Sequence, residues 1–177
     1  MKIFKSILDD CLIIEPNVYK DERGFFLETF NENKYKPFIN KYKFVQDNHS
    51  RSTKNTLRGL HFQIQKPQGK LVRVVSGEVF DVAVDLRKES NTFGHWESFI
   101  LSAENKRQVW IPPGFAHGFL TLSDYADFEY KCTDFYDPND EGCIIWNDPD
   151  LSIKWASKTP TLSLKDSQGG FFKDYKL

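Results

Sequence analysis

The chain has 177 residues, a length typical of one domain with a substantial buried core. Its hydrophobic fraction of 40% is ordinary for a globular protein, and 16 of its residues are phenylalanine. The formal net charge is −1, from 24 basic and 25 acidic residues, so no nucleic-acid partner is expected. Any anionic ligand must therefore be held by local arginine and lysine side chains.

The N-terminal stretch MKIFKSILDDCLIIEPNVYKDERG contains neither a long apolar run nor a small-residue cleavage site. We therefore expect no secretion signal, no transmembrane segment and no membrane partner. The three cysteines, Cys11, Cys132 and Cys143, are odd in number and form no CxxC spacing. This pattern disfavours a disulfide framework or a zinc finger and predicts a cytoplasmic location.

Short strand-like segments separated by turn signals fill most of the chain. Residues 31–42 predict one short helix, which Pro37 limits. Residues 126–132 alternate with period two and place Tyr130 on the apolar face. The clearest alternation, in residues 78–87, sets one apolar row against a mostly polar one: Phe80, Val82, Val84 and Leu86 against Asp81, Ala83, Asp85 and Arg87.

This rhythm predicts an all-β fold, a cupin-type jelly-roll barrel or sandwich with short helical segments at its periphery. We expect a single domain over residues 1–177 with a core at about 44–155. From about Lys154 the sequence predicts an irregular or short helical cover. The N-terminal part and this cover are expected to complete the site.

Two histidines stand out in such a fold, His61 in LRGLHFQ and His117 in PPGFAHGF. A metal-binding cupin is the first interpretation, but a metal needs further ligands aimed at the same point. The residue two positions after His61 is Gln63, a poor ligand for zinc or iron. The suitable position on the next segment is Lys70, which cannot ligate a metal while charged. We therefore expect no metal.

A metal-free pocket can still move protons, because neutral histidine is a natural base near pH 7. A carboxylate that fixes the histidine tautomer improves such a base, and Asp166 in LSLKDSQ is a candidate. Arg58 and His61 are three positions apart, so a regular strand would send them to opposite faces. Either Gly59 forms a bulge that re-aims one of them, or the strand begins after Gly59.

Tyr130 has two interpretations. A tyrosine pointing into a barrel must find a partner for its hydroxyl. It is either a buried ring bonded to the backbone or a proton donor in the cavity, and composition does not choose between them.

Seven segments together closely resemble the dTDP-4-dehydrorhamnose 3,5-epimerase family, from about Arg23 to Asp166 and in the same order. Several motifs at once are far more specific than any single glycine pattern. They are FVQDNHSRS, TLRGLHFQ, PQGKLVRVVSGEVFDVAVDLR, IPPGFAHGFLTLSD, FEYKCTDFYDP, IIWNDPDLSIKW and LSLKD.

The resemblance implies a role for each matched residue. His61 corresponds to the catalytic base, Asp166 to its carboxylate partner and Tyr130 to the proton donor on the opposite face. Lys70 corresponds to the lysine near the C4 oxygen of the sugar. Tyr136 corresponds to the aromatic residue that stacks on thymine. Further substrate-binding positions are Arg23, Glu28, Gln46, Asp47, Asn48, Arg58, His117, Glu141 and Lys165.

The implied reaction inverts C3 and C5 of a dTDP-linked 4-keto-6-deoxyhexose by proton abstraction and return through an enolate. It needs no cofactor, because neither hydride nor metal takes part. Four alternatives stay open: an epimerase acting at C3 only, one acting at C5 only, a metal-free ketoisomerase on a related nucleotide sugar, and a non-catalytic sugar-binding cupin. Members of the family pair, so the resemblance also implies a homodimer in which Arg23 and Glu28 reach the partner's site.

Overall fold

The computed structural model describes residues 1–39 and 42–175, and its main elements are antiparallel β-sheets. No helix among them is long and apolar enough to cross a membrane. The strands are β1 (Lys2–Lys5), β2 (Leu12–Glu15), β3 (Val18–Asp21), β4 (Gly24–Leu27), β5 (Gln46–Thr53), β6 (Leu57–Gln63), β7 (Lys70–Ser76), β8 (Glu78–Asp85), β9 (Trp96–Ser102), β10 (Gln108–Ile111), β11 (Phe115–Thr121), β12 (Tyr125–Cys132) and β13 (Glu141–Cys143).

Two large sheets form the two-layer jelly roll that the sequence predicts. One has six strands in the order β1-β2-β10-β7-β12-β5, and the other has five in the order β13-β6-β11-β8-β9. Strands β3 and β4 form a separate hairpin. Consecutive strands repeatedly change sheet, so residues distant in the sequence meet between the layers.

The main core lies between the two large sheets. Val72, Val109 and Phe128 of the six-stranded sheet pack against Ala83 and Phe119 of the five-stranded sheet. Phe119 and Phe128 stack with ring centroids 4.3 Å apart. Large rings therefore fill the space between the sheets, as the aromatic composition suggests.

The alternation in β8 is confirmed, but its faces have an unexpected assignment. The apolar row, including Val82 and Val84, points away from the interior and packs under Ile144 and Leu151 of the C-terminal part. The row that contains Asp81 and Ala83 faces the space between the sheets. Both faces are buried because the chain after β13 covers the outside of the five-stranded sheet, which alternation alone does not reveal. The strand ends at Asp85, two residues before the predicted boundary.

Helices occur at the periphery, as the sequence predicts. Helix α1 covers Glu32–Ile39 with Pro37 inside it, and positions 40 and 41 of the predicted segment lie outside the described residues. Tyr35 and Ile39 of α1 pack with Trp110 on the outside of the six-stranded sheet. Helix α2 covers Leu164–Ser167 within the irregular C-terminal cover.

Candidate active site

A bulge in β6 brings Arg58 and His61 into register with the same neighbouring strand. His117 pairs with His61 and Phe119 pairs with Arg58, so three steps along β6 match two steps along β11. The extra residue is the β-bulge that the spacing left open.

Gly59 is required at this point of β6 for two reasons. Its φ is +122°, a region that favours glycine. A Cβ at Gly59 would lie 2.6 Å from Gly118 Cα and 2.8 Å from the carbonyl oxygen of His117. The two strands therefore approach closely because neither glycine has a side chain, and the bulge sets the direction of His61.

His61 forms a dyad with Asp166, which the sequence places 105 positions away. His61 Nε2 lies 2.5 Å from Asp166 Oδ1, and Asp166 is 3% exposed. Burial raises the pKa of Asp166, but hydrogen bonds from His61, Ser163 and the backbone of Gly59 outweigh it, and the pKa is lowered overall. The carboxylate thus stays charged, so Nε2–H donates to it and Nδ1 is left as the basic nitrogen.

Ser163, which was not predicted from the sequence, holds Asp166 in place. Ser163 caps the N-terminus of α2 by accepting from the Asp166 backbone N–H at 3.1 Å, and its hydroxyl donates to Asp166 Oδ2 at 2.7 Å. A serine three residues before an acidic residue is the sequence signature of such a cap. The SLKD motif therefore carried a signal that could have identified Ser163.

A cavity of about 180 Å³ between the sheets gathers most of the predicted chemistry. Each charged or polar side chain in its wall comes from a strand row that faces the interior. Its lining is Ser50, Arg58, His61, Lys70, His117, Gly118, Phe119, Phe128 and Tyr130.

Tyr130 enters the cavity from the opposite sheet to His61. It lies on β12 of the six-stranded sheet, whereas His61 lies on β6 of the five-stranded sheet. Burial and nearby charges, with no hydrogen bond among the described residues, set the environment of its hydroxyl, which argues against a ring tied to the backbone. Burial raises the pKa of Tyr130 to about 12, so the phenol keeps its proton at neutral pH.

Lys70 is a buried lysine at the start of β7, 8% exposed. Burial lowers its pKa, and nearby Cys132 and Glu141 oppose this only in part. In the described part of the chain no carboxylate forms an ion pair with its ammonium. An ammonium without a partner in a closed cavity is well suited to meet negative charge on a ligand.

His117 forms a second buried dyad, with Asp81, which the sequence analysis did not single out. His117 Nε2 lies 2.8 Å from Asp81 Oδ2, and Asp81 is fully buried. The sequence placed Asp81 on the mostly polar row of β8 and gave no sign that this row faces the interior. Asp81 fixes the orientation of His117 at the cavity wall.

A second group of predicted residues surrounds the more exposed end of the site. Tyr136, half exposed, donates its hydroxyl to Glu141 at 2.7 Å, and Lys165 pairs with the same carboxylate. Gln46 accepts from the Tyr136 backbone N–H at 2.9 Å and donates to Asn48 at 3.0 Å. Arg58 is an exposed side chain held by Ser52 Oγ at 2.9 Å.

Three further predicted binding residues belong neither to the cavity wall nor to this second group within one chain. Asp47 lies on the outward row of β5 and pairs with Lys131. Arg23 lies in the turn of the β3–β4 hairpin and pairs with Asp21. Glu28 pairs with Lys34 of α1. The roles of these three residues remain predictions, as do those of the other matched residues.

The side chain of Gln63 forms hydrogen bonds with neighbouring loops. Its amide donates to the carbonyl oxygens of Lys66 and Phe135 and accepts from the Asp137 backbone N–H. Gln63 therefore supports the loop that carries Tyr136 and does not point at His61.

The comparisons with known proteins agree on one family. The sequence profile of dTDP-4-dehydrorhamnose 3,5-epimerase matches residues 5–174. This chain belongs to that family. It is 59% identical over 170 residues to the family member of Salmonella typhimurium LT2, covering 94% of this chain and 93% of the relative. It is 56% identical over 176 residues to the member of Pseudomonas aeruginosa PAO1, covering 98% and 97%.

Solved structures of family members have the same fold. The 3,5-epimerase of Legionella pneumophila, solved with dTDP-4-keto-L-rhamnose, is 53% identical with a TM-score of 0.94 and covers 97% of this chain and 93% of that one. ChmJ, a 3'-monoepimerase of Streptomyces bikiniensis solved with dTDP-quinovose, is 31% identical with a TM-score of 0.88, covering 95% and 86%. The fold is thus shared by double and single epimerases, and the higher identity is to the double one.

Proposed function

We propose that this chain converts dTDP-4-dehydro-6-deoxy-D-glucose to dTDP-4-dehydro-L-rhamnose by inverting C3 and C5, a step of dTDP-L-rhamnose biosynthesis. The observation that carries the proposal is the arrangement of His61 and Tyr130, which enter one cavity from opposite sheets. Inversion at carbon needs a base on one side and a proton donor on the other. The higher identity to a 3,5-epimerase supports the double reaction.

His61 removes the proton beside the ketone through Nδ1. The imidazolium that forms is stabilised by the adjacent Asp166 carboxylate, which already accepts from Nε2–H. Negative charge develops on the C4 oxygen as the enolate forms. Lys70 is the buried cation available to stabilise that charge, and it does so far better than water would.

Tyr130 returns a proton to the opposite face of the carbon. Its raised pKa keeps the hydroxyl protonated between turnovers, and its unbonded state leaves it available to the sugar. The same base and donor serve C3 and C5, which are both next to the C4 ketone. The reaction balances because each carbon loses one proton and gains one, with no electrons transferred.

Tyr136 and Arg58 are proposed to hold the nucleotide. The half-exposed ring of Tyr136 offers a face for stacking on thymine, and the exposed fork of Arg58 suits diphosphate oxygens. Gln46, Asn48, His117, Glu141 and Lys165 complete the proposed binding set. No cofactor enters this scheme.

We also propose a cytoplasmic homodimer. The β3–β4 hairpin exposes Phe25 by 58% and Phe26 by 68%, an apolar surface that a second copy would cover. Arg23 and Glu28 lie in and just after this hairpin, in positions to serve a partner's nucleotide site. A monomer mass by light scattering at micromolar concentration would contradict this assembly. Three cysteines without disulfides suit the cytoplasm.

Solvent deuterium uptake tests the reaction. Incubation of dTDP-4-dehydro-6-deoxy-D-glucose with the protein in D₂O should place deuterium at both C3 and C5, located by NMR. Uptake at a single carbon would identify a mono-epimerase. A ketone displaced along the ring would identify a ketoisomerase. Tight binding without any exchange would identify a sugar-binding cupin, an outcome that the unbonded Tyr130 argues against.

A further inference from the structure

A third side chain lies beside the His61–Asp166 dyad and takes no part in the proposed reaction. Cys143 on β13 pairs with His61 of β6 in the strand register. Its Sγ lies 3.9 Å from Asp166 Oδ1, and the thiol is buried with 8% exposure. One ligand atom from each of His61, Cys143 and Asp166 lies within 4.8 Å of the other two.

We propose that these three side chains form an inhibitory site for a thiol-binding divalent cation such as Zn²⁺. Imidazole nitrogen, thiolate sulfur and carboxylate oxygen are the three ligand types that zinc takes in proteins. The inhibitory effect rests on the proposed role of His61 as the base. The cation is a competitor for that base and not a cofactor.

The distances allow this site with small movements. Zinc bonds of about 2.0–2.3 Å in a tetrahedron place ligand atoms about 3.3–3.6 Å apart. His61 Nε2 and Asp166 Oδ1 are 2.5 Å apart, so they must separate by less than about 1 Å, and Cys143 Sγ must move slightly closer. A water molecule would take the fourth position of the tetrahedron.

The charges favour a divalent cation over a monovalent one. Carboxylate and thiolate together supply two negative charges, so the occupied site is neutral and Lys70 in the same cavity meets no net charge. Binding shifts the ring proton of His61 from Nε2 to Nδ1, so the imidazole stays neutral, and the Cys143 thiol proton is released to solvent. With the ion on Nε2, Nδ1 of His61 carries the proton and cannot remove one from the sugar.

Cobalt substitution gives a direct test of the ligands. Co²⁺ titrated into the purified protein should produce the near-ultraviolet charge-transfer absorption of a cobalt–thiolate bond, and Zn²⁺ should remove that absorption by displacement. Cys143→Ser should lose the absorption. The matched control is Cys132→Ser, another buried cysteine, which should retain it.

Inhibition is measured separately, with each variant compared to its own metal-free rate. Zn²⁺ should inhibit deuterium exchange reversibly, with full recovery on chelation. Cys143→Ser should need at least about tenfold more Zn²⁺ for half-inhibition, since even outer-shell changes at metal sites cost about 10- to 100-fold in affinity.

Equal zinc sensitivity in the wild type and Cys143→Ser would overturn the site, as would cobalt binding without a thiolate band. If Co²⁺ gives the thiolate band but Zn²⁺ does not inhibit exchange, the metal site is supported and its proposed effect on His61 is wrong. Absence of any exchange in the metal-free protein would count against the proposed function instead, because the cobalt spectrum does not depend on turnover.

Discussion

Replacing Asp166 by asparagine removes the charge that faces His61 while preserving nearly the same shape. The lost contact is a charge-assisted hydrogen bond of 2.5 Å between buried groups. Such bonds contribute about 1.5–3 kcal/mol, which corresponds to about 10- to 160-fold in rate if the bond is lost in the transition state. If the asparagine amide donates to Nε2, Nδ1 carries the proton and cannot act as a base. The loss of activity would then exceed that range.

The assay is the initial rate of deuterium uptake at C3 and C5, with kcat and KM measured separately. We expect kcat to fall and KM to change little, because the charge is needed when the imidazolium forms. Ser163→Ala is the matched control. It removes the hydrogen bond to Asp166 Oδ2 and the cap of α2 but keeps the charge of Asp166. It should therefore lower the free energy of unfolding by about 1 kcal/mol and reduce kcat by a smaller factor than Asp166→Asn does. Equal kcat in Asp166→Asn and the wild type would refute the dyad.

Gly59→Ala should lower the free energy of unfolding by more than about 1–3 kcal/mol, because the Cβ meets Gly118 at 2.6 Å in addition to the strained φ. The control is Gly24→Ala, at φ +132° with open space around the added Cβ, which measures the loss of stability from backbone strain alone. Equal urea midpoints for the two variants would contradict the packing argument. Lys70→Met should abolish activity yet raise the free energy of unfolding by roughly 0.5–2 kcal/mol, because burial lowers the pKa of Lys70 and the unfolded chain therefore binds its proton more readily. In the wild type the same sign makes the contribution of Lys70 to stability improve as pH rises through its lowered pKa in the folded protein towards 10.5, and a flat pH profile of the difference between the two proteins would contradict it. Exhaustive chelation should leave the epimerase rate unchanged or higher, and loss of activity restored by one divalent ion would contradict the mechanism.

The β-strand character of residues 78–87 and 126–132 and the inward direction of Tyr130 could be predicted, since period-two alternation is a local property of the chain. The assignment of the two faces of β8 could not. Its apolar row is covered by residues after β13, and a sequence pattern does not state which element supplies the second layer. Asp81 was missed for the same reason, because alternation placed it on the mostly polar row without showing that this row faces the interior.

Site residues on distant segments of the chain were predicted from the family resemblance, because sequence spacing does not show which of them meet. Asp166 lies 105 positions from His61, and only the packing of α2 against β6 brings them together. Ser163 was readable from the capping pattern alone. Arg23 and Glu28 could not be placed from one chain, since both side chains pair locally outside the cavity.

The opposed positions of His61 and Tyr130 are tested most directly by the stereochemistry of exchange in Tyr130→Phe. This variant keeps the base, so the enolate should still form and take a deuteron back on its original face. We expect deuterium at C3 and C5 with retained configuration, and inversion slower by about 100- to 10,000-fold, the usual contribution of a positioned proton donor. Inversion of both carbons at the wild-type rate would contradict the account, because the donor would then be another group or a water molecule.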